Sequence, residues 1–346
     1  MPENPKIAIV ILNWNGKKLF DSFLPSVFEN SQKDNTKIIV ADNGSDDDSV
    51  NYLKEKYPQA GIIELKKNYG FAGGYNRALK NITADYFILL NSDVEVSPNW
   101  MEEPLRQMEE DKSIAAVQPK ILNYKNRSEF EYAGAAGGFI DKFGYPFCRG
   151  RLLNRMETDK GQYNKETAVF WASGACMFIR ACLFNKVNGF DDDFWAHMEE
   201  IDLCWRLKNR GYKIIYQPDS VIYHLGGGTL SYNNPQKVYL NFRNNLFMLF
   251  KNLPDQQFHR ILCLRIILDY VAAVKFIFGL HLVSFYAVVK AHISFLKHLK
   301  KLITKRKELV VLASVNDHKE IYKKSIMWKF FILKKYRFSD LNFNPE

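Results

Sequence analysis

Residues 7–12 (IAIVIL) are an unbroken apolar run rich in β-branched side chains, the pattern of a strand buried on both faces. A helical pattern follows to about residue 29, then a strand at 37–41 (KIIVA), a helix at 46–57, a strand at 61–65, a helix at 73–81 and a second fully apolar strand at 86–90 (YFILL). This βαβαβαβ rhythm predicts an α/β fold on a doubly wound, mostly parallel sheet, with ligands at the carboxyl ends of the strands. The loops at those ends begin Asn13-Trp-Asn-Gly, Asp42-Asn-Gly-Ser and Asn91-Ser-Asp, all polar and turn-forming.

Beyond Pro98 the pattern gives an acidic helix at 100–111, a strand at 114–118, a glycine-rich middle from Tyr132 and a strand-like stretch at 169–180. A turn at Gly189-Phe-Asp-Asp-Asp leads to a helix at 197–210, stopped by Gly211. Short strands at 212–216 and 220–223 precede His224-Leu-Gly-Gly-Gly. From 258 to 307 the chain reads as helix, apolar but studded with basic residues. Its longest uncharged run, 276–289, is 14 residues long, short of the roughly 20 needed to span a bilayer. Lys290, Ser294, Lys297, Lys301 and Lys305 fall on one stripe, and Ile293, Leu296, Leu299 and Ile303 on another. Such a helix is expected to lie in a membrane interface, lysines on anionic headgroups; the alternative is a helical subdomain packed on the main fold with solvated lysines. The chain is thus expected to divide into a domain at 1–250 and a basic amphipathic extension at 251–346.

Composition sharpens this division. At 47% apolar residues the 346-residue chain is neither disordered nor of low complexity. Its net charge of +10 suggests a polyanionic partner, yet residues 1–250 hold 30 basic against 31 acidic side chains, while 251–346 hold 18 against 7. A neutral main domain discourages nucleic-acid binding. The five cysteines include no Cys-x-x-Cys pair, which suits a reducing compartment. Met1-Pro-Glu-Asn-Pro-Lys has no basic segment leading into an apolar one, so no secretory signal is expected. The expected location is the cytoplasm, peripheral on the cytoplasmic face of the inner membrane.

Five clusters could carry chemistry. Asn91-Ser92-Asp93, directly after an apolar strand, places a carboxylate where Mg²⁺ or Mn²⁺ could be held with substrate phosphate, though Asn-Ser-Asp also makes ordinary turns. Asp42-Asn43-Gly-Ser45 offers a carboxylate to a base or ribose; its bland reading is a helix cap by Ser45 or Asp46. Asn68-Tyr-Gly70 through Asn76 is glycine-rich ahead of a helix, suited to a close-approaching anion, but it is neither a dinucleotide nor a P-loop fingerprint. In Trp195-Ala-His-Met-Glu199-Glu200, helical spacing puts Glu200 on the inward stripe with Leu203, Cys204 and Leu207. Burial there would raise its pKa toward that of a useful base. Glu199 shares a face with Asp202 and Arg206, where an ion pair can occupy the carboxylates. His224, at a strand end beside glycines, could ligate a metal or touch diphosphate, although a lone histidine is more often structural.

The order of these blocks is more specific than any one of them. IAIVILNWNG, VADNGSDD, NYGFAGGYNRAL, LLNSDVEV, SGACMFIR, FWAHMEEIDLCWRLKNRGYKI and IYHLGGGT, spread over about 6–245, resemble the family 2 glycosyltransferases. The likeness is to the branch building bacterial surface polysaccharides, with rhamnosyltransferase-like members. That resemblance implies a GT-A fold and inverting transfer from a UDP-, dTDP- or GDP-linked sugar to a glycan or lipid-linked acceptor. It implies nucleotide-sugar contacts at Asn13, Asn15, Asp42, Asn43, Asn68, Gly70, Asn76, Ser92 and Asp93. Gly174, Ala175 and Trp195 would border sugar and acceptor, Asp93 and His224 would hold Mg²⁺ or Mn²⁺, and Glu200, second of the acidic pair with Glu199, would be the base. Two positions depart from the pattern: Asn91 stands where the first aspartate of the metal motif is usual, and the pair is Glu-Glu where Glu-Asp is usual. A sugar nucleotidyltransferase would need a basic glycine-rich first loop, which Asn13-Trp-Asn-Gly is not. A catalytically silent sugar- or lipid-binding partner fits less well with Asp93, Glu200 and His224 all present.

Overall fold

The structure is a computed structural model that describes residues 5–226 and 234–345. The first half alternates as the sequence predicts: β1 (Ile7–Asn13), α1 (Lys17–Ser31), β2 (Thr36–Asp42), α2 (Ser49–Lys56), β3 (Gly61–Glu64), α3 (Gly70–Leu79) and β4 (Tyr86–Asn91). Next come β5 (Val94–Val96), α4 (Glu102–Glu110) and β6 (Ile114–Asn123), then four short strands, β7 (Gly138–Asp141), β8 (Pro146–Cys148), β9 (Arg151–Leu152) and β10 (Arg155–Met156). β11 (Thr167–Ala168), β12 (Cys176–Arg180), α5 (Ala181–Lys186), α6 (Glu199–Lys208) and β13 (Lys213–His224) complete the main sheet and its helices. The C-terminal region is mostly helical: α7 (Pro235–Asn252), which runs across the boundary expected at 250, α8 (Asp255–Phe278), α9 (Leu282–Lys297), α10 (Leu299–Val311), then β14 (Ile321–Tyr322) and α11 (Ile326–Phe331).

The main sheet has the order β11-β13-β6-β12-β4-β1-β2-β3, with β5 on β13. β1 pairs parallel with β2 and β4, and β2 with β3, but β12 runs antiparallel between β4 and β6. The sheet is therefore mixed and mostly parallel, an α/β GT-A-like sheet with a helical C-terminal region. Apolar residues at successive positions of β1 serve both faces. Ile7, Ile9 and Ile11 pack under α1 with Phe20, Leu24 and Val27, while Ala8 and Val10 pack with Ala72, Tyr75 and Ala78 of α3. The two short strands expected at 212–216 and 220–223 are one strand, β13, whose register shifts between Gln217 and Val221.

The extension differs from the single stripe drawn on a continuous helix. The chain breaks at Gly279–His281 and again at His298, so α8, α9 and α10 fold back on one another and on α7. Lys301 and Lys305 are not turned toward a separate surface but form ion pairs with Asp191 and Asp193 of the main domain. Farther on, β14 pairs parallel with β7, and the buried Asp141 carboxylate accepts the Ile326 amide at 2.8 Å. Among the described residues no helix is long and apolar enough to cross a membrane.

Candidate active site

Register brings the first group together. Asn13 and Asp42 end β1 and β2 side by side, and Asn13 donates to the Asp42 carboxylate at 3.0 Å. Ser45 donates to the same carboxylate through its hydroxyl (2.6 Å) and its backbone amide (2.9 Å). Asp42 is thus buried and held, and Ser45 serves it rather than capping α2, which begins after Asp48. Asn13 Oδ1 is buried without a hydrogen-bond partner. Asn15 accepts the Asp46 amide at 2.8 Å, fixing the facing loop, and Ser92 lies across from Gly16.

Asn43 donates to Asn68 (3.1 Å) and to the Gly70 carbonyl (3.0 Å), and accepts the Tyr69 amide (3.0 Å). These bonds set the turn into α3. Gly70 sits there at φ +74°, and a Cβ on it would lie 2.6 Å from the Trp195 ring, so only glycine fits the turn and its neighbour. The Trp195 carbonyl accepts the Phe71 and Ala72 amides at 2.7 and 3.1 Å, docking the loop ahead of α6 on the start of α3. Asn76 is committed to the same junction: it donates to the Phe190 carbonyl (2.8 Å) and to Asp192 (2.5 Å) and accepts the Phe190 amide (2.9 Å). Gly174 faces the Phe71 ring, and the Ala175 carbonyl accepts the Asn91 amide at 3.0 Å, so both border the end of β4.

Asp93 and His224, 131 residues apart, meet where β5 pairs with the end of β13. His224 Nε2 lies 3.1 Å from Asp93 Oδ1, and on the other side of the ring Nδ1 lies 3.0 Å from Glu131 Oε2. Burial opposes charge on this imidazole, but Asp93 and Glu131 outweigh it and take it up to about 10. Burial would likewise raise the Asp93 carboxyl, yet the His224 charge and hydrogen bond hold it below the usual carboxylate range. Asp93 Oδ1 and His224 Nε2 face each other across a hydrogen bond, with Glu131 behind the imidazole. An oxygen and a nitrogen donor of this kind fit Mn²⁺ or Mg²⁺ once the cation displaces the shared proton and leaves the imidazole neutral. Among the described residues no group of three or more His, Cys, Asp or Glu side chains is placed to hold a metal ion. A cation here would draw its remaining ligands from substrate and water. Gly227, Gly228 and Thr229, which follow His224, lie outside the described residues.

Glu199 and Glu200 open α6. Glu200 stands one turn before the buried Leu203, Cys204 and Leu207, but it is itself only half-buried and Glu199 is the more enclosed of the two, because the face with Asp202 and Arg206 is buried as well. The ion pair expected to occupy Glu199 does not form. Arg206 is taken by Asp202 at 2.8 Å, and Asp202 also receives Lys251 (3.0 Å) and Asn252 (2.8 Å), so no cation is left for Glu199. One carboxylate oxygen on each glutamate is buried without a hydrogen-bond partner. Burial pushes Glu200 up to about 7, with the amides of the first helical turn drawing it partly back. Burial and then the neighbouring Glu200 push Glu199 well above the carboxylate range.

The loop before α6 is strained. Trp195, His197 and Met198 have φ of 65°, 69° and 72°, each conformation costing about 1–3 kcal/mol for a non-glycine residue. Asn244 of α7 offsets this by donating to the carbonyls of Phe194, Ala196 and His197 at 2.7–2.9 Å, and Arg243 donates to those of Asp193 and Phe194. Asp191 is gripped by Lys251 and Lys305; burial would raise it, but these two cations hold it well below the carboxylate range. Glu131, Arg243, Asn244, Lys251 and Lys305 contact the candidate residues or the loop before α6, and the local sequence pattern did not single them out for this. The charge complement between Asp191-Asp-Asp and a basic extension was the one signal available for the two lysines.

A GT-A-like sheet with asparagine, aspartate and histidine gathered at its strand ends, and an unpaired acidic couple on the facing helix, has the architecture of a glycosyltransferase. The chain belongs to glycosyl transferase family 2, whose family description matches residues 8–188. It is similar to the N-acetylglucosaminyl-diphospho-decaprenol L-rhamnosyltransferase of Mycobacterium tuberculosis, 23% identical over 63% of this chain and 75% of the relative. It is also similar to rhamnosyltransferase WbbL of Escherichia coli, 26% identical over 57% and 76%. Among solved structures, GalNAc-T7 with UDP, GalNAc and Mn²⁺ superposes with a TM-score of 0.57 at 16% identity, over 72% of this chain and 48% of that one. The mannosyltransferase PcManGT from Pyrobaculum calidifontis, with GDP-Man and Mn²⁺, gives 0.52 at 13% identity over 91% and 88%.

Proposed function

We propose that this glycosyltransferase moves a sugar, with inversion, from a nucleoside-diphosphate donor to a hydroxyl of a glycan or lipid-linked acceptor in cell-surface polysaccharide synthesis. The observation that carries the reading is the partly buried Glu200 carboxyl at the start of α6, with one oxygen lacking a hydrogen-bond partner and burial pushing it up to about 7. Glu200 takes the acceptor proton, and its pKa near the working pH serves that task. The freed oxygen attacks the anomeric carbon from the face opposite the diphosphate, which leaves with its electron pair. Glu199, which burial and then Glu200 push well above the ordinary carboxylate range, favours the uncharged form beside Glu200. Asn13, Asn15, Asp42, Asn43 and Asn68 shape the nucleotide side, Asn76 and Gly70 set the turn beneath the donor sugar, and Ser92, Gly174, Ala175 and Trp195 border the transfer site. Asp93 and His224 would hold Mg²⁺ or Mn²⁺, which when bound neutralises charge on the leaving diphosphate. In this reading the enzyme works at the cytoplasmic face of the inner membrane.

Rhamnosyltransferases among the relatives, and structural neighbours holding UDP with GalNAc or GDP-Man, support this donor class. Purified protein incubated with UDP-, dTDP- and GDP-sugars, Mn²⁺ and membrane lipid extract should release nucleoside diphosphate with one donor and leave a product of inverted anomeric configuration. No release with any donor, or a retained configuration, overturns the reading.

A further inference from the structure

The α8–α9 hairpin carries an apolar face that nothing among the described residues covers. Leu264, Ile267, Val271, Val274 and Phe278 recur three or four residues apart along α8, forming one stripe of exposed side chains. The stripe ends at the hairpin tip, where Phe278 and Leu280 are 85% and 86% exposed and Val283 63%. Beside it, α11 and the residues after it present Trp328, Ile332 and Leu333. Between α8 and α11 runs a groove of about 550 Å³, floored by Leu264, Leu268, Trp328 and Leu333 and edged by Lys142 and Lys329.

Charge decides what this face meets. From 256 to 307 the sequence has a single acidic residue, Asp269. It is fully buried, paired with Arg265 at 2.8 Å and with His292 at 3.2 Å. Asp255, at the far end of α8 from the tip, is taken by Arg306. Every other exposed charge on the hairpin is basic: Arg260, Lys275, Lys290 and Lys297. A second copy of the chain would set these like charges against each other across a two-fold interface. A surface that is apolar within and anionic at its rim matches both features.

We infer that the α8–α9 tip, flanked by α11, inserts into the headgroup layer of an anionic bilayer as a wedge, with Lys275 and Lys290 on lipid phosphates. This rests on the membrane location in the proposed function but assigns it to a different surface from the α10 lysines, two of which are engaged with Asp191 and Asp193. The wedge would hold the enzyme on the membrane without spanning it.

The test is co-sedimentation of the full chain with phosphatidylcholine vesicles, with and without about 30% phosphatidylglycerol, alongside size-exclusion chromatography. Wild type should partition at least tenfold better onto the anionic vesicles. The double variant Phe278→Ser/Leu280→Ser, at positions too exposed to unfold the protein, should lose at least tenfold of that binding. Lys275→Glu/Lys290→Glu should lose the preference for anionic lipid. Equal binding by the tip variant, indifference of wild type to phosphatidylglycerol, or a wild-type dimer that the tip variant dissociates would each overturn the proposal. Binding is read without substrate, so an enzyme inactive on every donor but bound to vesicles would strike the sugar-transfer reading and leave this one standing.

Discussion

Replacing Glu200 by Gln keeps the side chain's shape and removes its ionisation. In the folded protein this carboxyl holds its proton to about pH 7, against an ordinary value of 4.5. Between those values the folded state binds a proton that the unfolded chain has released, so stability falls as pH rises through the window and is level above it. At 1.36 kcal/mol per pH unit the full window is worth about 3 kcal/mol, most of it falling between pH 5 and pH 8. An amide at this position carries no such cost. Glu200→Gln should therefore melt near the wild type at pH 5 and a few degrees above it at pH 8. The same substitution removes the base, so turnover should drop by about 10²–10⁴. Wild-type turnover should rise with pH and level off above about 7, while the variant stays flat. Thermal melts and nucleoside-diphosphate release, measured from pH 5 to pH 8, read both. Parallel melting curves for the two proteins would refute the burial argument; unchanged turnover with diverging melts would refute the base and spare the burial.

Other expectations follow from single contacts. Gly70→Ala should lower Tm and cut turnover at least tenfold, because its Cβ would press on the Trp195 ring and the φ of +74° resists a side chain; a fully active, equally stable variant would show that the α3–Trp195 junction adjusts. Glu131→Gln should weaken Mn²⁺ activation by about 10–100-fold with Asp93 and His224 intact, since it backs the His224 imidazole; an unchanged Mn²⁺ titration would remove Glu131 from the site. Lys251→Met should destabilise the fold by about 3–5 kcal/mol, leaving buried Asp191 and Asp202 short of a cation, and chemical denaturation would show it. Lys305→Ala, at a more open position with Lys251 still on Asp191, should cost less in stability but lower kcat more than it raises KM; a pure KM effect would argue against a role in positioning the loop before Glu199.

What could be read from the sequence had short range or strong periodicity. β1 and β4 announce themselves because a strand buried on both faces must be apolar along its length, whereas spacing over Leu203, Cys204 and Leu207 does not set Glu200 apart from Glu199, since Asp202 and Arg206 on the other face are buried too. The meeting of Glu131 with His224 was not legible: Glu131 precedes a glycine-rich segment with no period, and only the pairing of β6 and β13 brings it to the ring. Glu199 was misjudged for a related reason. Helical spacing offered it Arg206, but Asp202 lies one turn from that arginine where Glu199 lies two. Asp202 is also reinforced by Lys251 from α7, a helix the local pattern cannot see. The stripe along 290–305 failed where His298 interrupts the helix, since periodicity carried across a break keeps counting after the axis has turned.

The three aspartates at 191–193 are held from opposite sides, Asp192 by Arg77 and Asn76 of α3, Asp191 and Asp193 by Lys251, Lys301 and Lys305 of the extension. For anyone recombining parts of such enzymes, this means α3 and the C-terminal helices are not interchangeable cassettes. A graft made at residue 250 would part Lys301 and Lys305 from the carboxylates that fix the loop bearing Trp195. A workable chimaera would carry the aspartate triplet and the two lysines together, placing the seam of exchange inside the glycine-rich middle rather than at the change in charge.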